Sequence, residues 1–174
     1  LTHGVVEHTS NLVYKNQSGA LNESFADFFG VMVERENWLI GEDLYPNGGY
    51  MRSLKVPESR GQPSNMVAFF RLPEFYDNGG VHVNSGIPNK AFYLLAEGLT
   101  SEGIGTSIGL SKTETLAYRT LLSLGPNSDF LEAAIAMALE AEALYGTGSL
   151  EAASVLAAWS EVGVSVEEFL STTN

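Results

Sequence analysis

Two carboxylates and a histidine near the start of the sequence could together take part in a metal site. Glu23 and Asp27 are four residues apart in a segment with helical periodicity, so their side chains share one helix face. Glu23 stands beside Asn22 at the edge of an apolar stripe, where a buried carboxylate needs a compensating partner. A metal ion is one such partner, and His3 could supply a second ligand. The ordinary alternative is two solvated carboxylates and a surface histidine.

A second histidine has an acidic residue across a tight turn. His82 follows the Gly79-Gly80 pair and comes five residues after Asp77. A carboxylate in this position can orient the imidazole and fix its tautomer. The alternative is a buried histidine whose nitrogens bond to the backbone. The sequence around Tyr14 is equally consistent with a residue that only packs in the core. The sequence around Arg52 is equally consistent with a surface charge.

The composition restricts the chemistry of any such site. The chain of 174 residues has three histidines and no cysteine, which excludes disulfides and thiolate ligands. The 21 acidic and 9 basic residues give a net charge of −12, and the sequence shows no cluster of Lys and Arg that nucleic acid would need. No apolar run reaches the roughly 18 residues of a membrane span. Neither nucleic acid nor membrane is therefore expected as a partner.

The apolar periodicity predicts a mainly α protein. Residues 18–36 carry one apolar stripe at three- and four-residue spacing, formed by Leu21, Phe25, Phe28, Phe29, Met32 and Val33. Further helices are predicted over 1–8, 84–97, 111–124, 128–145, 149–162 and from 165 onward. Residues 37–80, rich in Gly, Pro, Asn and Ser, have no clear period. We therefore expect one helical domain over 1–174, with about five to six helices and one long irregular insert.

Several details of these elements are also predicted. A turn at 78–80 is expected to lead into a short extended piece before the next helix. The helix over 128–145 is apolar nearly all round, which predicts burial among other helices. The expected helix caps are Ser111 with Glu114, Asn127 or Ser128, Ser149, and Ser165 with Glu168.

Long stretches of the sequence resemble the thermolysin-like neutral zinc metalloproteases. The first is "LTHGVVEHTSNLVYKNQSGALNESFADFFG", which resembles the zinc-binding segment of that family. "GEDLY", "MRSL" and "DNGGVHVNSGIPNKAFYL" follow in the same order, and "EALYG" and "SLEAASVLAAWSEVGV" resemble its ending. The resemblance covers essentially the whole chain. It implies the C-terminal helical lobe of such an enzyme.

The resemblance also implies a zinc site. Family members carry H-E-x-x-H on a helix, where two histidines bind zinc and the glutamate activates water. "LTH" resembles the end of that motif, so His3 corresponds to the second histidine, and the first histidine and the glutamate would precede Leu1. Glu23 corresponds to the third zinc ligand, with Asn22 supporting the site. Asp27 corresponds to the carboxylate that holds the first histidine, so here we expect it buried without a cationic partner.

The same resemblance implies roles in binding a peptide. Tyr14 and His82 correspond to the donors that stabilise the oxyanion, with Asp77 orienting His82. Arg52 corresponds to the side chain that binds a substrate carbonyl. The pocket for an apolar residue after the scissile bond corresponds in part to Ile40, Leu44 and Met51.

We expect fewer bound calcium ions than members of the family carry. Glu34 and Glu42 correspond to ligands of a double calcium site, but Asn37 and Leu39 stand where acids would be. A single weaker calcium site or none is therefore predicted.

The function implied is that of the C-terminal catalytic lobe of a secreted zinc metalloendopeptidase that cleaves before large apolar residues. We expect the 174-residue chain alone to be inactive. Its partners would be a peptide or protein substrate and the N-terminal lobe, and an exposed cleft face could favour self-association. The alternative is a non-enzymatic fragment that binds a partner or a propeptide through the cleft.

Overall fold

The computed structural model describes residues 2–45, 47–98 and 106–166. Helices dominate these residues, so the prediction of a mainly α fold is confirmed. The helices are α1 Thr2–Glu7, α2 Asn16–Glu34, α3 Asp77–Asn84, α4 Gly86–Glu97, α5 Leu110–Ser123, α6 Phe130–Tyr145 and α7 Leu150–Glu161. No helix in the described part of the chain is long and apolar enough to cross a membrane.

The insert between α2 and α3 is mostly irregular, as its composition predicts. It contains one antiparallel pair of two-residue strands, β1 Leu39–Ile40 and β2 Arg52–Ser53, in which Ile40 pairs with Arg52. Three short 3-10 turns accompany the pair, at Glu42–Leu44, Pro57–Arg60 and Met66–Ala68. The strand pair fixes the direction in which Arg52 leaves the backbone.

An aromatic cluster joins the long helices. Phe28 of α2 stacks on Phe92 of α4 with ring centroids 4.6 Å apart, and Phe25 lies 5.4 Å from the same ring. Trp159 of α7 meets Phe92 edge-on at 6.5 Å. The apolar stripe of α2 is buried as predicted except at Phe29, which is partly buried, and at its end, where Val33 is 76% exposed. Because α2 is packed along its length, its polar residues are held rigidly.

The burial of α6 differs from prediction. The helix α6 is not buried all round, since Leu139 is 55% exposed and Leu144 40% exposed. The side chains of α6 that face the core are Phe130, Ala133, Ala134, Met137 and Ala141. The helix therefore buries one face and leaves apolar side chains such as Leu139 exposed on the other.

The helix caps are only partly as predicted. α5 begins at Leu110, after Gly109 with φ of 78°, so Ser111 lies inside the helix and does not cap it. Asp129, rather than Asn127 or Ser128, caps α6 in a reciprocal capping box with Glu132. Ser149 caps α7 as predicted, accepting a hydrogen bond from the Ala152 amide at 3.2 Å. The predicted box at Ser165 and Glu168 extends outside the described residues.

A run of left-handed residues opens α3. Asp77, Asn78, Gly79 and Gly80 have φ of 52°, 48°, 82° and 88°. The chain then turns directly into helical conformation at Val81–Asn84, so the extended piece predicted here is wrong. The tight turn brings the Asp77 carboxylate back to the first regular turn of α3.

Gly19 allows α2 to approach its neighbours closely. A Cβ at this position would lie 2.4 Å from Val81 Cγ1 and 2.9 Å from the backbone carbonyl carbon of Tyr14. Both atoms belong to segments that carry site residues. The absence of a side chain at Gly19 therefore sets the distance between α2 and these segments.

We expect Gly19→Ala to lower the free energy of unfolding by about 1–3 kcal/mol, because the extra methyl overpacks this contact. Urea unfolding followed by circular dichroism measures the change. Gly30→Ala in the same helix is the control, since a Cβ there meets only Ile40 Cδ1 at 3.7 Å. That variant should gain about 0.5–1 kcal/mol from helix propensity. Equal effects of the two substitutions would contradict this account.

Candidate metal and catalytic site

Glu23 is the centre of a polar cluster on α2. Its side chain is 3% exposed, and three residues from other segments approach its two oxygens. Oε1 lies 3.5 Å from His3 Nε2 and accepts a hydrogen bond from the Tyr14 hydroxyl. Oε2 lies 3.6 Å from His82 Nε2. The structure therefore brings together residues that are separated by up to 79 positions in the sequence.

Asn22 orients His3. The Asn22 side-chain amide donates to the Leu12 carbonyl at 3.2 Å, which leaves its oxygen facing His3. His3 Nδ1 lies 2.8 Å from that oxygen and therefore carries the proton. Nε2 faces Glu23, and in the neutral imidazole it carries the lone pair. A histidine whose other nitrogen donates to an oxygen in this way is typical of metal ligands.

The spacing of the two donors fits zinc. In a tetrahedral site with ligand bonds of about 2.0–2.2 Å, neighbouring ligand atoms lie about 3.3–3.6 Å apart. His3 Nε2 and Glu23 Oε1 are 3.5 Å apart. Over residues 2–45, 47–98 and 106–166, however, no group of three or more His, Asp or Glu side chains is placed to hold a metal. The described residues thus offer two ligand atoms at a suitable spacing, His3 Nε2 and Glu23 Oε1.

Asp77 orients His82 from the side opposite Glu23. Its Oδ1 accepts a hydrogen bond from His82 Nδ1 at 2.5 Å, and its Oδ2 accepts one from the His82 backbone amide at 3.0 Å. His82 Nε2 lies 3.0 Å from the Tyr14 hydroxyl. The imidazole is half exposed, so its Nε2 is fixed in direction yet open to a ligand.

Tyr14 is held in its neutral form. Burial, the hydrogen bond to Glu23 and the negative charges of Glu23 and Asp77 raise the pKa of Tyr14 well above its usual value, against the opposing charge of Arg52. The phenol therefore keeps its proton at neutral pH. With 39% of the residue exposed, the hydroxyl can serve as a donor to a bound molecule.

Arg52 forms a buried ion pair that the sequence did not predict. Its Nη2 and Nε donate to the two oxygens of Asp27 at 2.6 and 2.8 Å, and Nη2 lies 3.9 Å from Glu23 Oε2. Burial lowers the pKa of Arg52, but the bonds to Asp27 and the charge of Glu23 outweigh it and raise the pKa overall. The expectation that Asp27 lacks a cationic partner is therefore wrong, because the strand pair delivers one.

Sequence reasoning also missed Asn89 on α4. This residue is fully buried, and its Nδ2 donates to Asp27 Oδ2 at 3.0 Å. Ser24 Oγ donates to Asn89 Oδ1 at 2.7 Å. The available signal was an asparagine inside the otherwise apolar run "GIPNKAFYLL", where a buried amide requires polar partners.

The three predicted pocket residues lie around the strand pair. Ile40 pairs with Arg52, and Met51 Sδ lies 3.6 Å from Arg52 Nη1. Leu44 and Met51 both pack near Gly41, and they are 67% and 40% exposed. These apolar side chains therefore form an open surface beside the guanidinium rather than an enclosed pocket.

The two predicted calcium residues face one acidic cleft. Glu34 and Glu42 line a cleft of about 400 Å³ together with Glu36, Gly41 and Asp43. Glu42 Oε1 accepts a hydrogen bond from Asn37 Nδ2 at 2.7 Å. Asn37 thus supplies a hydrogen-bond donor to Glu42 at a place where an acid was expected. Calcium binding here stays a prediction.

Comparison with known proteins identifies the family. A profile described as the alpha-helical domain of thermolysin metallopeptidase matches residues 10–164. The chain therefore belongs to the thermolysin metallopeptidase family, as its C-terminal α-helical domain.

Individual relatives agree with this assignment. The chain is 46% identical over 169 residues to a bacillolysin of Brevibacillus brevis, covering 94% of the chain and 32% of that relative. It is 45% identical over 167 residues to neutral protease NprE of Bacillus pumilus, covering 94% and 52%. The solved precursor of protealysin, a metalloproteinase from Serratia proteamaculans, matches with a TM-score of 0.82 and 35% identity, over 94% of the chain and 55% of that structure. The chain thus spans about a third to a half of these relatives.

We expect Arg52→Leu to lower the free energy of unfolding by about 3–5 kcal/mol, because it leaves Asp27 buried without its cation. Chemical denaturation at neutral pH measures the loss. The control is Arg119→Leu, which removes a pair to Glu140 of similar length, 2.6 Å, from an exposed position. Its cost should be about 0–1 kcal/mol. Similar costs for both variants would show that burial does not decide the strength of the Arg52 pair.

Proposed function

We propose that this chain is the catalytic C-terminal lobe of a zinc metalloendopeptidase. The observation that carries the proposal is the convergence of His3, Tyr14 and His82 on the buried carboxylate of Glu23. Membership of the thermolysin metallopeptidase family supports it. Tyr14 donates to the Glu23 carboxylate, and the Nε2 atoms of His3 and His82 both face it. The cluster therefore has a defined geometry and is more than a local concentration of polar groups.

Two residues of this chain would hold the metal. His3 offers Nε2, with its tautomer set by Asn22, and Glu23 offers its carboxylate. A bound zinc supplies Lewis-acid polarisation of a carbonyl and a more acidic water. The chain contributes the fixed direction of both ligands, since Asn22 and Glu23 are buried in the rigid part of α2.

Tyr14 and His82 would stabilise negative charge on a reacting carbonyl oxygen. The raised pKa of Tyr14 keeps its hydroxyl a donor at neutral pH. Asp77 accepts from His82 Nδ1 and holds the imidazole so that its Nε2 faces the same space as the Tyr14 hydroxyl. The Tyr14 proton is donated to Glu23 in this structure and would turn toward the developing charge, while both side chains already stand beside the same space, which favours such stabilisation.

Arg52 would bind a carbonyl of the peptide beside the scissile bond. Its Nε and Nη2 are bonded to Asp27, while Nη1 reaches only the sulfur of Met51. A guanidinium has five N–H donors, so some remain for a ligand. The apolar surface of Ile40, Leu44 and Met51 lies next to this position, which supports a preference for a large apolar residue after the cut.

We also propose that the protein acts outside the cell and that its cleft accepts an inhibitory propeptide as well as a substrate. Relatives at 47% identity include an extracellular elastase of Staphylococcus epidermidis, and the solved relative is a precursor form. A propeptide would use the same donors as a substrate, because both present extended backbone carbonyls to Arg52, Tyr14 and His82.

Zinc titration of the purified 174-residue chain by calorimetry tests the metal assignment. We expect one zinc per chain, and we expect His3→Ala and Glu23→Ala each to weaken binding by at least about tenfold, the cost of losing even a supporting residue. Asn22→Ala should weaken it as well, because His3 then loses its fixed tautomer.

His8→Ala is the matched control for this titration. His8 is the other histidine of the N-terminal segment, and it is exposed and makes no side-chain hydrogen bond in the described part of the chain. Its removal should leave zinc binding unchanged. Absence of zinc binding in the parent chain, or an equal loss in His8→Ala and His3→Ala, would contradict the proposed ligands.

We expect the 174 residues by themselves to hydrolyse no peptide. Catalytic zinc sites use three protein ligands and a positioned general base, and the described residues supply two matched ligands. A fluorogenic peptide with a large apolar residue after the scissile bond is the appropriate assay. Hydrolysis that is removed by a zinc chelator and lost in Glu23→Ala would overturn this expectation.

A further inference from the structure

A buried chain of hydrogen bonds links α4 to the guanidinium of Arg52. Ser24 donates to Asn89, Asn89 donates to Asp27, and Asp27 accepts from Arg52. Ser24 and Asn89 are fully buried and Asp27 is 4% exposed. Because Ser24 bonds to the Asn89 oxygen, the amide nitrogen of Asn89 is directed at Asp27. Asn89 thus has one possible orientation.

Arg52 stands between two buried carboxylates. Its Nη2 lies 2.6 Å from Asp27 Oδ1 and 3.9 Å from Glu23 Oε2. Glu23 is one helical turn before Asp27 on α2 and is equally buried. A small rotation of the Asp27 carboxylate would break the bidentate pair and leave Glu23 as the nearest acceptor. Arg52 would then occupy Glu23 Oε2, the oxygen that His82 approaches, and would leave the carboxylate less available to a metal.

The contact with Asn89 opposes that rotation. Asp27 Oδ2 accepts from both Asn89 Nδ2 and Arg52 Nε, at 3.0 and 2.8 Å. The two donors come from different elements, α4 and β2, so together they define the plane of the carboxylate. With its plane fixed, Asp27 presents both oxygens to the same edge of the guanidinium, which is the strongest geometry for such a pair.

We propose that Asn89 is a positioning residue, which fixes Asp27 so that Arg52 binds Asp27 rather than Glu23. This inference rests on the proposed function, since it assigns Glu23 to a metal and Arg52 to a substrate carbonyl. Asn89 touches neither metal nor substrate. It acts by keeping Arg52 paired with Asp27, which leaves the carboxylate of Glu23 available to a metal.

Nitrogen-15 NMR of the Arg52 Nε–H group tests the proposal in the 174-residue chain. Asn89→Leu removes the donor at similar volume, and Asp27→Asn provides the spectrum of a broken pair. We expect Asn89→Leu to move the Arg52 resonance toward its position in Asp27→Asn and to speed its exchange with water by at least about tenfold, the equivalent of one charged hydrogen bond. Asn89→Ala also removes the donor and adds no bulk, so it should act in the same direction even if Asn89→Leu does not fold.

Asn84→Leu is the matched control. Asn84 is also a buried asparagine, 1% exposed, with both ends of its amide bonded, but its partner is the Phe70 backbone. This variant should lower stability without moving the Arg52 resonance. An unchanged Arg52 resonance in both Asn89 variants, or an equal change in Asn84→Leu, would overturn the proposal. The NMR measurement needs neither metal nor substrate. Absence of zinc binding would overturn the proposed function, but the Arg52 spectra would still decide whether Asn89 positions Asp27.

Discussion

The burial of two carboxylates one turn apart on α2 is the constraint on which the rest of the site depends. Glu23 and Asp27 are 3% and 4% exposed, and a buried charge of this kind is tolerated only with matched partners. The two carboxylates have different partners. Asp27 is paired with Arg52, whereas Glu23 is approached by hydrogen-bond donors and histidine nitrogens, a setting that suits a metal ligand.

The fold supplies these partners from four separate segments. The aromatic cluster around Phe92 fixes α2 against α4 and α7, and Gly19 lets the segments of Tyr14 and Val81 approach α2 closely. The strand pair of the insert carries Arg52 back across α2. The long irregular insert is therefore part of the site, because it places Arg52 beside Asp27 on the buried face of α2.

Much of the fold followed from local patterns. The stripe of α2 and the cap at Ser149 depend on residues within a few positions of each other, so the sequence predicts them directly. The predictions at Ser111 and at α6 were wrong because tertiary packing overrode the local signal: Gly109 caps α5 two residues before Ser111, and the core contacts only one face of α6.

The sequence by itself determined the helical class, the family resemblance and the residue types of the site, including the pairing of Asp77 with His82 across a short turn. Only the tertiary structure decided which partner each carboxylate receives. Arg52 and Asn89 lie 25 and 62 residues from Asp27, and no local spacing rule relates them. Their contacts arise because helix packing and strand pairing bring distant segments together, and the cost of an unpaired buried charge then selects the arrangement in which Asp27 meets Arg52 and Asn89.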